Sequence, residues 1–410
     1  MYLSRKEEKM YSGEYGEPIR KAMEILVAIG DTYDAENLIE VKKAHVAGLS
    51  YKTHGDAGLE YIKILNKENA SVCIPTTLNV IGVDRFRWEK LGLPEDWAGK
   101  QLQILKAYEK MGCIGSCSCT PYYHVVLPRF GEHIAWAESS AVVFSNSIIG
   151  ARDNREGGPS ALSAALTGRT PFYGYHLEEN RLGNYLIKID EKLEDVHDFG
   201  ALGSYLGRLI GDKVPVFQGL EKSASLENFV ALGAGLASSG STAMYHAVGI
   251  TPEAATLENA FGGEKPMETI DIGEKEMENA RQSLTSASDG DVDFVSLGCP
   301  HCSLQQIKQI AALLSGKKVH KDVRLWIYTS IPIRALAEKL GYVGFIEKAG
   351  GTVTSDMCTV LGCPEALGFK TMATNSAKMA FYAPASNKLD VWYGSTEECI
   401  DATVRRRWEA

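Results

Sequence analysis

From residue 213 onward, short apolar segments alternate with longer segments of helical periodicity. The segments that predict strands include KVPVFQGL, VDFVSLGCP and VRLWIYTS, and those that predict helices include HCSLQQIKQIAALLSG and IRALAEKLGYVGFIEKAG. Such alternation favours parallel sheets with helices on both faces. Because ligands bind at the carboxyl ends of the strands in such sheets, the loops after these strands are the expected place for a functional site.

The N-terminal half carries the same pattern in shorter segments. Ser4 and Glu7 have the spacing of a capping box at the start of a predicted helix. Residues 44–50 and 71–74 predict short strands. Residues 140–149, SAVVFSNSII, predict a buried strand that opens into a loop rich in Gly, Asn and Arg. Near the other end of the chain, KTMATNSAKMAFYAP predicts a strand that passes into a loop.

The length of the chain sets the number of structural units. With 410 residues, of which 45% are hydrophobic, the chain can bury the cores of two or three units. We expect an N-terminal α/β unit over residues 1–135, a middle unit over residues 136–290 and a C-terminal unit over residues 291–410.

The net charge and the lack of long apolar segments argue against nucleic acid and membranes as partners. A net charge of −9 argues against nucleic acid, because phosphate binding needs a basic face. No segment has the roughly 18 consecutive apolar residues that a membrane span requires. Residues 1–10 are charged and lack the apolar stretch of a secretory signal, so we expect a cytoplasmic protein.

The nine cysteines predict reduced thiols rather than a disulfide scaffold, because their number is odd and the chain is long. Seven of them lie in three loops: GCIGSCSCTPYY with Cys113, Cys117 and Cys119, LGCPHCS with Cys299 and Cys302, and TSDMCTVLGCP with Cys358 and Cys363. Cys299 and Cys358 each follow a predicted strand. For Cys299 a predicted helix comes next, and backbone N–H groups and the helix dipole there favour a thiolate.

These loops admit more than one kind of site. Three thiolates from three loops would hold an iron–sulfur cluster and leave one iron open to substrate, whereas four thiolates would close the cluster and suit electron transfer. The CPHC segment also has the spacing of a thioredoxin-like redox pair. A four-cysteine zinc site built from CSC and CPHC is a further alternative.

Four segments resemble one known family. They are SCSCTPYY, LPRFGEHIAWAESSAVVFSNSIIGARDNREGGPSAL, LGCPHCSLQQI and TSDMC, and they are similar to segments of the catalytic large subunit of the aconitase X family. The resemblance runs over nearly the whole chain, from EEKMYSGEYG to KMAFYAP. It implies an aconitase-like α/β fold, with several parallel-sheet αβα units around a central active-site cleft.

The resemblance also implies a set of site residues. Cys119, Cys299 and Cys358 are similar to the cluster ligands of the family, and Cys117 and Cys302 are neighbours that could be ligands instead. The implied substrate contacts are Gly48, Leu49, Ser50, Asn79, Val80, Glu138, Ser139 and Lys378. Outside this set, Arg152 and Arg155 could clamp an anion or form structural ion pairs. His301 is a candidate hydrogen-bond donor beside a ligand.

The activity implied by the resemblance is dehydration of a small hydroxy acid at an iron–sulfur cluster, 4Fe-4S with one open iron. The expected reaction converts (R)-5-phosphomevalonate to trans-anhydromevalonate 5-phosphate in a modified mevalonate pathway, and cis-3-hydroxy-L-proline is the alternative substrate. In split members of the family, the large subunit pairs with a small swivelling-domain subunit on a separate chain, and this chain resembles the large subunit alone. We therefore expect a heterodimer in which the catalytic base lies on the small subunit.

Overall fold

Three parallel sheets and one short antiparallel pair form the framework of the computed structural model, which describes residues 1–123 and 125–409. The strands are β1 Leu38–Glu40, β2 Ala44–Val46, β3 Thr76–Leu78, β4 Ala135–Trp136, β5 Arg169–Pro171, β6 Tyr185–Ile189, β7 Pro215–Gln218, β8 His246–Ala247, β9 Glu268–Ile272, β10 Phe294–Leu297, β11 Arg324–Thr329, β12 Thr352–Ser355, β13 Thr371–Thr374 and β14 Asp390–Tyr393.

The helices connect these strands and cover the sheets. They are α1 Arg5–Tyr11, α2 Glu17–Thr32, α3 Tyr51–Lys67, α4 Glu95–Lys110, α5 Ser139–Phe144, α6 Gly158–Thr167, α7 Val196–Ile210, α8 Leu226–Gly240, α9 Leu257–Phe261, α10 Glu274–Gln282, α11 Leu304–Leu313, α12 Ile331–Lys339, α13 Tyr342–Ala349, α14 Ala377–Asn387 and α15 Thr396–Arg405. The predicted capping box of α1 is present, since Ser4 and Glu7 bond to each other's backbone N–H groups.

Each parallel sheet comes from its own stretch of chain. The first sheet has the order β3-β2-β4, the second β8-β7-β6-β9 and the third β12-β11-β10-β13-β14. All strand pairs within these sheets are parallel, while β1 and β5 pair antiparallel. The predicted α/β class with several parallel sheets is confirmed. The predicted division of the chain at residues 135 and 290 stays a prediction.

Three local predictions were wrong. Residues 140–149 are not a strand: α5 continues into a π-helical turn over Ser145–Ile149. A buried helix is apolar on every face, so its sequence cannot be told from a buried strand by periodicity. Residues 71–74 form no strand, and β3 begins two residues later. The segment after β13 is helix α14, which Ser376 caps, rather than a loop.

The first and third sheets share a core. Val46 and Leu78 from the first sheet belong to the same buried cluster as Phe294 and Met372 from the third, with Ile104 of α4. Burial of a side chain of this size stabilises the fold by about 1.5–3 kcal/mol. The shared core therefore holds the strand ends of the two sheets in a fixed relation to each other.

Helices α7 and α8 pack on the second sheet through glycines. A Cβ atom placed on Gly203 of α7 would lie 2.2 Å from the carbonyl oxygen of Leu232, and one on Gly235 of α8 would lie 2.4 Å from that of Gly200. Only glycine permits backbones this close, so the two helices are in direct backbone contact. Helix α8 also contacts α14, which links the second sheet to the third.

Candidate active site

The carboxyl ends of strands from the first and third sheets surround one cavity of about 320 Å³. Its lining residues follow β3, β4, β10 and β12, lie in the loop between α4 and β4, or lie on helix α14 after β13. They are Val80, Cys119, Ala137, Glu138, Ser139, Gly298, Cys299, Cys358, Val360, Leu361, Lys378, Tyr382 and Ser386. The cavity therefore occupies the position where parallel sheets bind ligands.

The structure brings one cysteine from each of the three cysteine loops to this cavity. Cys119, Cys299 and Cys358 all line it, although 180 positions separate the first two in sequence. The loop of Cys119 runs beside β3, because the Ser118 N–H donates to the Leu78 carbonyl at 3.1 Å. Cys299 lies two residues after β10, and Cys358 lies three residues after β12.

The three cysteines are free; Cys119 and Cys358 are buried, and Cys299 is partly buried. Burial raises the pKa of Cys358 to about 12, and it also raises the pKa values of Cys119 and Cys299. The thiolate forms of these three side chains are therefore costly, since burial penalises the charged form. A positively charged metal group would offset that cost, so the donor set fits the iron–sulfur cluster implied by the sequence resemblance.

The spacing of the three sulfurs does not fit a single zinc ion. Tetrahedral Zn–S bonds of about 2.3 Å place sulfurs roughly 3.8 Å apart. Across residues 1–123 and 125–409, only Asp195, His197 and Asp198 form a group of three or more ligand atoms that all lie within 4.8 Å of one another. The zinc site considered from CSC and CPHC is therefore not assembled in the described part of the chain, and at least two of the three cavity sulfurs lie more than 4.8 Å apart.

His301 connects all three cysteine loops. Its backbone N–H donates to the Cys119 Sγ at 3.2 Å, and its Nδ1 lies 3.1 Å from the Ser118 Oγ. Its Nε2 lies 3.0 Å from the carbonyl oxygen of Met357, which can only accept, so Nε2 carries the proton and Ser118 donates to Nδ1. His301 thus donates to a proposed ligand, as expected, through its backbone N–H, while its ring ties the loops together.

Glu138 and Lys378 form a buried ion pair on the cavity wall. Glu138 also accepts from the Asn79 side chain at 2.7 Å, and the Lys378 ammonium donates to the Ser139 hydroxyl at 3.1 Å. Burial opposes the charge of Glu138, but the attraction of Lys378 outweighs it and lowers the pKa of Glu138 to about 2. The same attraction overcomes the burial penalty at Lys378 and raises its pKa. Both groups are charged at neutral pH.

The glycine–leucine–serine segment before α3 lies behind the cavity wall. Ser50 caps α3, and its hydroxyl donates to the carbonyl oxygen of Leu361 at 2.7 Å. Leu49 is fully buried and Gly48 has a φ of 80°. None of the three lines the cavity, and neither does Asn79, but Ser50 and Asn79 each bond to a residue that does.

Other candidates from the sequence lie away from the cavity. Cys117 and Cys302 do not line it, although Cys302 is close to Gly298. Arg152 pairs with Glu253 at 2.9 Å and Arg155 donates to the Ser241 carbonyl at 2.7 Å. For Arg152 the structural ion pair is therefore the correct interpretation, and neither arginine is an anion clamp in this cavity.

Six lining residues are absent from the set predicted from the sequence: Ala137, Gly298, Val360, Leu361, Tyr382 and Ser386. Tyr382 and Ser386 stand four and eight positions after Lys378 on α14. Residues four apart share one face of a helix, so assignment of this segment as helix would have placed them beside Lys378. The capping serine at position 376 was the available signal.

Comparisons with known proteins identify relatives over the whole chain. Models described as the aconitase X first, second and third domains match residues 1–179, 183–282 and 292–405. The phosphomevalonate dehydratase large subunit of Methanocaldococcus jannaschii is 45% identical over 98% of this chain and 99% of that protein. The cis-3-hydroxy-L-proline dehydratase of Pseudomonas aeruginosa is 36% identical over 98% of this chain and 70% of its own length.

Solved structures extend this similarity to three dimensions. The crystal structure of Thermococcus kodakaraensis aconitase X in its holo-form superposes with a TM-score of 0.89 and 41% identity, over 98% of this chain and 100% of that one. Among the described residues, no helix combines the length and the apolar character that a membrane crossing would need.

Proposed function

The chain belongs to the aconitase X family of dehydratases, and we propose that it is the large subunit of an enzyme that removes water from 5-phosphomevalonate. The choice of substrate rests on the sequence identities to two groups of relatives. Phosphomevalonate dehydratase large subunits of four organisms are 42–45% identical to this chain and that of a fifth is 35% identical, whereas the two hydroxyproline dehydratases are 34–36% identical.

The cofactor of this proposal is an iron–sulfur cluster held by Cys119, Cys299 and Cys358. The support is that these three thiols line one cavity and that their sulfurs do not all lie within 4.8 Å of one another, as the thiolates of a single zinc ion would. When bound, such a cluster supplies a Lewis-acidic iron that makes the hydroxyl of the substrate a better leaving group. Three protein ligands leave one iron open for this purpose, as in a 4Fe-4S cluster with three thiolates.

The charged pair on the cavity wall would orient the substrate. Lys378 keeps its charge at neutral pH, so its ammonium can hold a carboxylate or phosphate oxygen of the substrate. Ser139 already accepts from this ammonium and Asn79 already donates to Glu138, so both are placed to support the same contact. Val80 supplies an apolar wall beside Cys119 and Cys358, and the Ser50 hydroxyl holds the backbone of Leu361 in place.

Glu138 is poorly suited to be the catalytic base. A carboxylate with a pKa of about 2 has little affinity for a proton at neutral pH. Its role in this proposal is to keep Lys378 in place through their ion pair. We therefore place the base that removes the substrate proton on a second chain, a small subunit that closes the cavity. The name of the relatives, large subunit, supports the existence of such a partner.

Anaerobic reconstitution together with a candidate small subunit tests the proposal. The assay follows dehydration of 5-phosphomevalonate and of cis-3-hydroxy-L-proline side by side. We expect turnover of the phosphorylated substrate and loss of activity when the labile iron is removed. Turnover of hydroxyproline alone would assign the substrate of the more distant relatives. Absence of iron together with a reversible Cys299–Cys302 disulfide would contradict the cluster.

A further inference from the structure

One arginine lies between the loops that carry two of the proposed cluster ligands. Arg85 donates from Nη2 to the Gly115 carbonyl at 2.7 Å and to the Cys117 Sγ at 3.0 Å. From Nε it donates to the Asp356 carboxylate at 2.8 Å, and Nη2 reaches the other carboxylate oxygen at 3.2 Å. Cys117 precedes the proposed ligand Cys119 by two residues, and Asp356 precedes Cys358 by two.

Both contacted residues have unusual backbone conformations. Cys117 has a φ of 41° and Asp356 a φ of 67°, and neither is a glycine. A positive φ is uncommon for residues with a side chain and persists only where surrounding contacts enforce it. Here the same guanidinium contacts both side chains. Each turn directs the chain toward the cavity two residues later, so the two turns fix where Cys119 and Cys358 lie.

The segment that carries Arg85 is itself anchored to the third sheet. The Ile81 N–H donates to the Asp356 carbonyl at 2.7 Å, and the Asp84 carboxylate accepts from the Ser355 N–H at 3.0 Å. The Arg85 side chain is 16% exposed and the Asp356 side chain is fully buried. The guanidinium is therefore held by its own backbone as well as by the loops that it joins.

We propose that Arg85 is a positioning residue that sets the placement of Cys119 relative to Cys358 for cluster binding. This inference rests on the proposed cluster and deepens it. The planar fork of Arg85 can bond the carboxylate of one loop and the carbonyl and sulfur of the other at the same time, which a single ammonium group cannot do. The bond from Arg85 to Cys117 also gives the two cysteines of the CSC segment different roles. Cys117 supports the loop, and Cys119 binds the cluster.

The matched test compares Arg85→Gln with Arg169→Gln. Arg169 is 14% exposed and donates from Nε to Glu7 at 2.8 Å and from Nη1 to the Gly168 carbonyl at 3.1 Å. The Arg169→Gln variant therefore loses the same kinds of hydrogen bond, but at a site away from the cavity. After anaerobic reconstitution of the full chain, iron and sulfide content, the EPR spectrum and the rate of iron loss to a chelator are measured. Melting of the cluster-free variants reports general destabilisation.

We expect the Arg85→Gln protein to lose iron about tenfold faster or more, with an altered EPR spectrum, in line with the effect of residues that orient metal ligands. The Arg169→Gln protein should keep the wild-type rate and spectrum, with a similar melting change. Equal iron loss in both variants, or wild-type behaviour of Arg85→Gln, would overturn the inference. Failure of the wild-type chain to bind a cluster would instead contradict the proposed function.

If Arg85→Gln does not fold, a second variant tests the same inference. Asp356→Asn keeps the side-chain shape, and asparagine tolerates a positive φ, but the two-oxygen acceptor for Nε and Nη2 of Arg85 is lost. We expect faster iron loss than in the wild type, whereas an unchanged rate would contradict the inference. Arg85→Lys keeps the charge without the fork, and full recovery of the wild-type rate and spectrum in it would also overturn the positioning role.

Discussion

Lys378 and Glu138 pair across 240 positions of sequence, and this pair joins the first turn of α14 to the residue that caps α5. Both side chains are almost fully buried on the cavity wall. Removing one partner of a buried ion pair leaves the other charge uncompensated, which costs more than the net stability contributed by the pair. Loss of this ion pair should therefore change both the free energy of unfolding and its dependence on pH.

The Glu138→Gln substitution should destabilise the cluster-free protein by about 3–5 kcal/mol at neutral pH, because Lys378 loses its buried counter-charge. The pKa of Glu138 is about 2 in the fold against an ordinary value of 4.5, so its contribution is present above pH 4.5 and is lost as the pH falls toward 2. The difference in urea midpoint between wild type and variant should shrink over that interval. A gap that stays constant or widens would contradict the ion-pair assignment, and Glu24→Gln at an exposed pair serves as the control.

Alanine replacement of the cysteines should separate ligands from neighbours. Cys119→Ala, Cys299→Ala and Cys358→Ala should each prevent stable cluster assembly, because one of three thiolates is lost. Cys302→Ala and Cys363→Ala should retain iron near the wild-type level, since neither residue lines the cavity. The iron and sulfide content of each variant is measured after reconstitution. Cys73→Ala, outside the three cysteine loops, is the control. Loss of iron in Cys302→Ala would mean that Cys302, rather than Cys299, is the ligand from the CPHC segment.

Ser376 should matter for substrate binding beyond its role as a helix cap. Its hydroxyl accepts from the Met379 N–H at 3.1 Å and donates to the Cys299 carbonyl, so it fixes the start of α14 against a cysteine loop. Ser376→Ala should cost about 1 kcal/mol, the usual value for a lost cap, and should raise KM through Lys378. Ser395→Ala, which removes the cap of α15 away from the cavity, should cost a similar amount with KM unchanged. Equal KM values for the two variants would count against a link between Ser376 and the site.

The contact of α7 with α8 predicts opposite effects for two glycine-to-alanine changes. Gly203→Ala should destabilise the protein by at least about 1–3 kcal/mol, because its methyl group would meet the backbone of α8. Gly99→Ala, on an exposed face of α4 with no atom within 4 Å, should stabilise it by about 0.5–1 kcal/mol. Thermal melting of both variants gives the comparison, and a Gly203→Ala protein as stable as the wild type would mean that the helices are less closely packed.

Much of the framework and the kind of chemistry could be predicted from local sequence. Strand–helix alternation after residue 213 predicted parallel sheets, and Ser4 with Glu7 predicted a capped helix. These features depend on residues a few positions apart, so they can be read without knowledge of the fold. The errors at residues 140–149 and after β13 arose where burial on all sides, or proximity to the cavity, removed the periodic pattern.

The sequence by itself determined the fold class and supplied thiols in three strand-end or strand-side loops, because hydrophobic period and residue type are local properties. The pattern of residues left open which thiols face the cavity, and only the family resemblance indicated Cys119, Cys299 and Cys358. The tertiary structure decided which carboxylate lies beside Lys378 and which arginine joins the two loops. These choices depend on how the first and third sheets share a core, which brings strand ends that are hundreds of positions apart within a few ångströms of each other. Long-range packing of this kind leaves no periodic signal in the chain, so it could be read only from the folded molecule.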